Sequence, residues 1–417
     1  MVEPRFALQL VTMRPEEEIG FDSRRLGRIG DLTHRYVDEG KMPCSSVVVM
    51  RHGHEVYRDL YGMADLERGT PVADDTVFRL YSMTKPITSI GLLRLVETGV
   101  VKLEDPVSDY IPEFADTGVY VSGDADGFET RPPDRPIEIV DLLRHTAGLS
   151  YAFMESHPVD AIYARHGLGV FARETRTLDA TIKALAAMPL AFSPGDHWAY
   201  SMATDVCGRV IEIASGQQLS TYLEAHVTGP IGMSETAFWA RPQQHDRLAA
   251  NCAATPDGGL VLVDDPTTSP LREPPAFEGG GGGMVGTLGD YLRFCRCLLN
   301  GGELDGERII GRKTLEYATR NHLPGNATVA DLWLAPTFSE ATMNGTGFGL
   351  GFSVVIDPVA NQAISSPGEF AWGGAASTGF WVDPVEDLAV VFMTQQMPSS
   401  QYPLRRELRN VVYQALT

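Results

Sequence analysis

The stretch "FRLYSMTKPITSIGLLRLVETG" (residues 78–99) contains a lysine at an unexpected position. After Lys85 the apolar residues recur at the spacing of a helix that is buried on several sides. Proline is tolerated only in the first turn of a helix, so Pro86 predicts a helix that starts near Met83, with Ser82 at or beside its N-cap. Lys85 therefore lies at the positive end of the helix dipole and beside apolar surface, where a charged amine is disfavoured.

The pair Ser82 and Lys85 has the spacing of a nucleophile and its base. Serine is a weak nucleophile until a base removes its proton, and burial and the helix N-terminus both favour the uncharged amine that could do so. Residues three apart share a helix face, so the two side chains can meet. The alternative is that Ser82 only caps the helix and Lys85 reaches solvent. Of the five lysines only Lys85 has a serine three positions before it, which favours a function.

Length and composition describe an ordinary soluble globular protein. The 417 residues suffice for two domains, or for one large domain with an insertion, and 43% of them are hydrophobic. The formal net charge is −20, and no run of basic residues stands out. We therefore expect neither nucleic acid nor an anionic membrane as a partner, while the oligomeric state stays open.

Metal, disulfide and targeting signals are absent from the sequence. The five cysteines are odd in number and include no Cys-x-x-Cys pair, His-Glu-x-x-His does not occur, and no acidic cluster has metal-ligand spacing. We expect no metal and no cofactor. No signal peptide is visible and no window approaches the about 18 apolar residues of a membrane span, so a cytoplasmic location is expected.

The order of helical and strand patterns indicates how the chain is organised. A helical pattern and a β-hairpin pattern precede residue 82, the middle is mostly helical with loops at 115–136 and 264–286, and strands and a helix return from about 347. The strands of the two ends must meet to form one sheet. We predict an α/β domain made of residues 1–82 and 300–417, a mostly helical domain of residues 83–299, and a catalytic site at their interface.

Four motifs in the same order resemble the serine β-lactamase and penicillin-binding-protein superfamily. The likeness is greatest to class C β-lactamases and the family VIII carboxylesterases, and it extends from about residue 22 to 395. It implies a β-lactamase-like fold of α/β plus all-α class, with an antiparallel sheet flanked by N- and C-terminal helices and an inserted helical domain. The motifs are "YSMTK" (81–85), "LLRHTAGLS" (142–150), "FSPGDHWAYSMATDVCGRVIE" (192–212) and "GGGGMVGTLGDYLRFCRCLLNGG" (280–302).

The resemblance implies a role for each matching residue. Ser82 would be the acylated nucleophile and Lys85 its partner, while Tyr200 would be the second base that later protonates the leaving alcohol. The oxyanion hole would consist of the backbone N–H groups of Ser82 and Ala375. The substrate-binding residues would include Tyr81, Met202, Trp372, Gly373 and Gly374.

Two departures from the lactamase pattern point to a neutral substrate. Tyr200-Ser201-Met202 has a thioether where lactamases have an asparagine for the side-chain amide of a β-lactam. Trp372-Gly373-Gly374 takes the place of Lys-Thr-Gly, so the cation that would pair with a substrate carboxylate is missing. The two glycines would let the strand approach the acyl group closely, with Trp372 as a pocket wall. This pattern is similar to that of family VIII esterases.

The leading hypothesis is a serine carboxylesterase that hydrolyses neutral short-acyl esters through an acyl-enzyme. Because an alcohol can intercept the acyl-enzyme, an acyltransferase stays open, as do weak β-lactam or amide hydrolysis and a catalytically silent ligand-binding relative. Ser150 in "GLSYA" and His145 in "RHTAG" are weaker catalytic candidates. The Gly279–Gly283 run lacks the Lys-Ser/Thr of a phosphate loop and is interpreted as a flexible loop near the site.

Overall fold

The computed structural model describes residues 16–168, 175–256, 258–334 and 343–417. In chain order its strands are β1 (Cys44–Arg51), β2 (His54–Asp65), β3 (Thr70–Pro71), β4 (Phe78–Arg79), β5 (Val119–Asp124), β6 (Gly127–Arg131), β7 (Asn251–Ala254), β8 (Leu260–Asp264), β9 (Val285–Gly286), β10 (Glu303–Leu304), β11 (Glu307–Arg308), β12 (Thr346–Phe348), β13 (Ser353–Val355), β14 (Phe370–Gly373), β15 (Gly379–Asp383), β16 (Leu388–Met393) and β17 (Gln396–Met397).

The α-helices of the same part of the chain are α1 (Ser23–Leu26), α2 (Arg28–Asp38), α3 (Thr84–Glu97), α4 (Ile139–Leu143), α5 (Pro158–Arg165), α6 (Leu178–Ala186), α7 (Ala203–Ser215), α8 (Leu219–Leu223), α9 (Leu288–Leu299), α10 (Arg312–Ala318), α11 (Val329–Leu332), α12 (Pro358–Asn361) and α13 (Leu404–Tyr413). None of these helices has the length and apolar character needed to cross a lipid bilayer.

Within the described residues, eight strands from the two ends of the chain form one antiparallel sheet. Their order is β12-β13-β14-β15-β16-β1-β2-β3, so β1 pairs with β16 at the junction of the two ends. Residues next to the ends also join directly, because Asp22 N donates to Ala415 O at 2.8 Å and Thr417 N to Gly20 O at 3.1 Å. The expected fold class is confirmed, and the domain boundaries at 82/83 and 299/300 stay a prediction.

Side-chain alternation in β1 explains why the sheet is covered on both faces. Val47 and Val49 pack with residues of α1, α2 and α13, whereas Val48 and Met50 point to the opposite core. Successive side chains of a strand face opposite sides, and burial of each valine stabilises the fold by about 1.5–3 kcal/mol. The sheet is therefore the middle layer, with α2 and α13 on one face and α9 on the other.

Helix α3 lies in the core that Val48 and Met50 face, and protein surrounds it. Every residue from Thr84 to Leu93 is buried, as the apolar pattern of this segment predicted. The helix begins at Thr84, one residue after the predicted start, and a 3-10 turn (Tyr81–Met83) precedes it. The hydroxyl of Tyr291 on α9 donates to Met83 O at 2.9 Å and fixes this end of the helix.

The middle of the chain contains strands that the sequence did not predict. Segment 115–136, predicted as a loop, folds into the hairpin β5–β6, and β7 pairs with β8 on one side and with β17 on the other. The β5–β6 hairpin is mostly exposed on both faces, so it needs no apolar alternation that a pattern search could detect. Strands β4 and β9 pair as well, which joins the segment before Ser82 to the segment after the glycine run.

Candidate active site

The candidate nucleophile lies on a strained turn between β4 and α3. Tyr81 has φ +45°, a left-handed conformation that is uncommon for a residue with a side chain. Its hydroxyl accepts a hydrogen bond of 3.0 Å from Asn251 Nδ2 on β7. The turn leaves Ser82 half-buried at the edge of a cavity, while Met83 already belongs to the core.

The structure brings the three predicted catalytic side chains together. Tyr200 lies with its hydroxyl 2.5 Å from Ser82 Oγ, and Lys85 Nζ lies 3.4 Å from the same atom. Lys85 is 2% exposed and Tyr200 is 1% exposed. The alternative that Lys85 extends to solvent is therefore wrong. The Tyr200 hydroxyl donates a short hydrogen bond to Ser82 Oγ.

The remaining contacts of Lys85 orient its amine towards the serine. Nζ donates to Gly281 O at 2.6 Å and to the Tyr151 hydroxyl at 3.0 Å, and it lies 4.4 Å from the centre of the Tyr200 ring. Together with Ser82 Oγ, these two acceptors hold the amine beside the candidate nucleophile.

The glycine run 279–283 holds the carbonyl that Lys85 contacts. Asp205 Oδ1 accepts a bond of 2.9 Å from Gly281 N, and Thr88 Oγ1 donates to Gly280 O at 2.9 Å. A Cβ at position 281 would lie 2.7 Å from Asp205 Oδ2, so only glycine fits there. The run lies near the site as predicted, but it is packed and hydrogen-bonded rather than a loose loop.

The weaker catalytic candidates have structural partners. Ser150 Oγ donates to Asp160 Oδ1 at 2.5 Å, and His145 Nδ1 lies 3.2 Å from Ser201 Oγ. Burial, together with the charge of Lys85, holds the pKa of His145 well below its usual value, so its ring is neutral. Among the residues described, no three His, Cys, Asp or Glu side chains are grouped to hold a metal ion.

The cavity in front of Ser82 has a volume of about 230 Å³ and a mainly aromatic wall. Arg79 also lines it, but its guanidinium is 2.7 Å from Asp264 Oδ2 and donates to Ala249 O, so its charge is matched within the protein. Predicted Tyr81 and Met202 lie in this wall. The aromatic residues of the wall are Tyr81, Tyr151, Phe153, Phe238 and Phe277, and its other apolar residues are Met202, Pro270, Leu271, Pro275 and Met284.

Strand β14 forms the other side of the site. The Trp372 ring lies 5.4 Å from the Tyr200 ring and 5.3 Å from the Phe348 ring. Trp372, Gly373 and Gly374 line a second cavity of about 160 Å³ and are not part of the wall in front of Ser82.

The two glycines after Trp372 are required by protein contacts. A Cβ on Gly374 would lie 2.4 Å from Leu80 O, so this glycine lets β14 lie against the segment that carries Ser82. A Cβ on Gly373 would lie 2.6 Å from Arg405 Cζ, so this glycine makes room for an arginine of α13. Sequence reasoning assigned both glycines to the approach of the acyl group and overlooked Arg405.

The two predicted oxyanion donors are both free. Ala375 follows Gly374 in the turn between β14 and β15, and Ser82 lies in the 3-10 turn against which β14 packs. Neither backbone N–H donates to another atom of the residues that the structure describes. Two unpaired N–H groups beside a nucleophile are what an oxyanion hole requires.

Sequence reasoning missed Tyr151, Asp205 and the Gly281 carbonyl. Each contacts Lys85 or fixes a group that does, but they lie 66 to 196 positions away along the chain. Tyr151 directly follows Ser150 in the quoted motif "GLSYA", so the motif contained the relevant residue one position further on.

Comparisons with known proteins agree with this geometry. The family model described as Beta-lactamase matches residues 29–414. Protein Rv1367c of Mycobacterium tuberculosis is 34% identical over 340 residues, which are 81% of this chain and 82% of the relative. Esterase EstB of Burkholderia gladioli is 33% identical over 392 residues, covering 90% of this chain and 92% of the relative.

A solved structure extends the similarity to three dimensions. EstCE1, described as a hydrolase with promiscuous acyltransferase activity, superimposes with a TM-score of 0.80 at 28% identity and covers 94% of this chain and 99% of that one. The chain belongs to the β-lactamase family. The predicted resemblance is confirmed, and with it the expectation of a serine hydrolase.

Proposed function

We propose that this member of the β-lactamase family is a cytoplasmic carboxylesterase of the family VIII type. It would hydrolyse neutral esters with short acyl chains through an acyl-enzyme on Ser82. The observation that carries the proposal is the contact of Ser82 Oγ with both Tyr200 and Lys85 at the edge of an aromatic cavity.

The reaction would begin with attack of Ser82 Oγ on the ester carbonyl carbon. The serine proton passes to the Lys85–Tyr200 pair, and the N–H groups of Ser82 and Ala375 stabilise the oxyanion, each by about 3 kcal/mol or more. When the ester C–O bond breaks, Tyr200 returns a proton to the leaving alcohol. Water then attacks the acyl carbon, its proton passes to the same pair, and Ser82 regains a proton as the carboxylic acid leaves.

The preference for a neutral substrate rests on the charges of the wall. Met202 and Trp372 provide neither the amide nor the cation that would hold a penicillin, and the charge of Arg79 is matched by Asp264. The carboxylates of Asp205 and Glu273 also line the cavity in front of Ser82. An anionic group would therefore meet repulsion without an anchor.

Relatives and cysteine chemistry support the remaining parts of the proposal. The names of EstB and EstCE1 describe an esterase and a hydrolase, and the small cavity suits a short acyl group. All five cysteines are free and buried, which suits a reducing compartment.

Acyl transfer is a second candidate, because an alcohol can attack the acyl-enzyme in place of water. The description of EstCE1 includes promiscuous acyltransferase activity. Addition of 1-butanol to a p-nitrophenyl acetate reaction, with gas chromatography of butyl acetate, measures the share of transfer. A butyl acetate yield no higher than in a Ser82→Ala control would reject this candidate.

The proposed function is tested by labelling with a fluorophosphonate probe and intact-protein mass spectrometry. We expect one label on the wild type, none on Ser82→Ala, and one on the control Ser150→Ala. A series of p-nitrophenyl esters from acetate to decanoate, run beside nitrocefin, defines the substrate class. Faster turnover of nitrocefin than of p-nitrophenyl butyrate would contradict the assignment to neutral esters.

A further inference from the structure

An arginine from the far side of the sheet holds the turn that carries the predicted oxyanion donor. Arg405, in the first turn of α13, donates from Nη2 to Gly374 O at 2.7 Å and to Thr378 O at 2.8 Å, and from Nε to Thr378 O at 3.1 Å. These carbonyls lie at the two ends of the turn between β14 and β15. The guanidinium adds to the turn's own backbone hydrogen bonds, which run from Ser377 N to Gly374 O at 3.1 Å and from Gly374 N to Thr378 O at 3.0 Å.

The carbonyl of Gly374 and the N–H of Ala375 belong to the same peptide group. In the described part of the chain the cis peptide bond is Met397–Pro398, so this peptide is trans and its C=O and N–H point in opposite directions. The carbonyl points to Arg405. The N–H therefore points away from α13, to the side where Gly374 packs against Leu80 and where Ser82 lies.

We propose that Arg405 is a positioning residue of the oxyanion hole, which orients the Ala375 N–H and makes it a stronger donor by binding the other end of its peptide. This inference rests on the proposed function, since it needs an oxyanion to form at Ser82.

Polarisation of the peptide supplies the physical effect. A charged donor at a carbonyl oxygen draws electron density from the peptide nitrogen, so hydrogen bonds through one amide strengthen each other. The turn is also held in place before substrate binds, and such preorganisation is where an oxyanion hole gains its advantage over water. A lysine carries the same charge but lacks the second nitrogen, which in Arg405 is the Nε that also donates to Thr378 O.

The strands around the guanidinium are shaped to receive it. A Cβ on Gly373 would lie 2.6 Å from Arg405 Cζ, and a Cβ on Gly379 would lie 3.2 Å from Arg405 Nε. Gly373 and Gly379 face each other in the β14–β15 ladder. Because neither glycine has a side chain, the guanidinium has room to contact both strands.

The test compares Arg405→Met and Arg405→Lys with the wild type. The matched control is Arg406→Met, because the next arginine on the helix donates to Gln362 O and not to the turn. For p-nitrophenyl butyrate we expect Arg405→Met to lower kcat about 10-fold with KM within twofold. The donor is weakened rather than removed, and complete loss of an oxyanion donor costs about 10²–10³ in kcat. The kcat of Arg405→Lys should lie between those of Arg405→Met and the wild type, and the kcat of Arg406→Met should match that of the wild type.

A second measurement separates oxyanion stabilisation from general loosening of the fold. A trifluoromethyl ketone forms a hemiketal with the nucleophile and places an oxyanion in the hole. Its inhibition constant should rise about as much as kcat falls in Arg405→Met. Suppose that the activity of the wild type depends on Ser82. If kcat and the inhibition constant were then unchanged in Arg405→Met and Arg405→Lys, this inference would be overturned and the esterase proposal would stay intact. Equal losses in Arg406→Met would overturn it too. A wild type without Ser82-dependent hydrolysis would instead overturn the proposed function, and this inference with it.

Discussion

Two buried polar clusters lie on opposite sides of the main sheet, and they are built in opposite ways. The catalytic cluster combines a buried amine with three hydroxyls and consists of Ser82, Lys85, Tyr151 and Tyr200. The second, which we call the brace cluster, joins α13 to the strands β14 and β15 and consists of Glu369, Asp383, Arg409 and Tyr413.

The brace cluster matches its charges internally. Arg409 Nε donates to Glu369 Oε1 at 3.0 Å, and the Tyr413 hydroxyl lies 2.8 Å from Glu369 Oε2 and 2.6 Å from Asp383 Oδ2. One hydroxyl hydrogen serves only one of these two carboxyl oxygens, so the other contact needs a proton on a carboxyl group. Burial raises the pKa of Glu369, which agrees with a proton there.

The difference shows that burial of titratable groups does not by itself indicate a function. In the brace cluster a cation and a shared proton neutralise the carboxylates, so the groups hold α13 to the sheet. In the catalytic cluster the oxygens that Lys85 contacts belong to hydroxyls and a backbone carbonyl, and one of them is the nucleophile. The buried amine of this cluster therefore contacts the candidate reacting group directly.

The largest expected effect is a loss of activity without a loss of stability. Lys85→Met should lower kcat about 10³-fold or more, because the serine proton loses its acceptor, while the melting temperature stays equal or rises as a buried polar group is removed. Hydrolysis of p-nitrophenyl butyrate and thermal unfolding by circular dichroism measure both. Lys183→Met is the control, since Lys183 is exposed and pairs with Asp179. Retention of a tenth of the activity would place the base elsewhere.

The corresponding substitution in the brace cluster should lower stability and leave activity nearly unchanged. Arg409→Met removes the cation of the brace cluster and leaves its remaining carboxylate charge unmatched, and loss of one partner of a buried pair costs about 3 kcal/mol of unfolding free energy. We expect kcat of the folded enzyme within threefold of the wild type. Urea unfolding gives the free energy, and activity per folded molecule gives kcat. A stable but inactive Arg409→Met protein would mean that the two clusters do not have separate roles.

Removal of a single hydroxyl from each cluster sharpens the contrast. Tyr151→Phe deletes an acceptor of Lys85, so kcat should fall about 10-fold with little change in stability. Tyr413→Phe deletes the hydroxyl between two carboxyl groups and should cost about 1–3 kcal/mol of stability with kcat unchanged. The same two assays apply. Similar profiles for the two variants would contradict the comparison.

The smallest expected effect is a pH dependence of stability. Burial raises the pKa of Glu369 above its ordinary value of 4.5, so the folded state binds this proton more tightly than the unfolded state. The stabilisation is fully present below pH 4.5 and is lost as the pH rises through the folded value. Urea unfolding between about pH 4.5 and 8 should therefore show a decline for the wild type that is shallower in Glu369→Gln. Equal slopes would show that the proton resides elsewhere.

The sequence predicted those features that depend on local patterns. The β-rich run "SSVVVM" indicated one strand of a hairpin, and the apolar run after Lys85 indicated a buried helix. The Ser82–Lys85 contact followed from helix geometry, because both residues lie within one turn. The contact with Tyr200 came from the resemblance and not from spacing.

The features that the sequence did not predict depend on contacts between distant segments. Gly281 meets Lys85 across 196 positions, and Arg405 meets Gly374 across 31. No periodicity encodes such pairs, and an arginine in an amphipathic helix has the same pattern whether it faces water or a strand turn. The reason for Gly373 was therefore assigned to the substrate when it belongs to Arg405.

The union of both chain ends in one sheet has a consequence for biosynthesis. A ribosome releases Ser82, Lys85 and Tyr200 well before β14–β16 and α13 exist, and β1 has no partner on its β16 side until residue 393 has emerged. The catalytic side chains are then present without the strand that carries Ala375. Esterase activity would therefore appear only after translation has passed Arg405, and a message cut short before that codon would yield an inert polypeptide rather than an unregulated hydrolase.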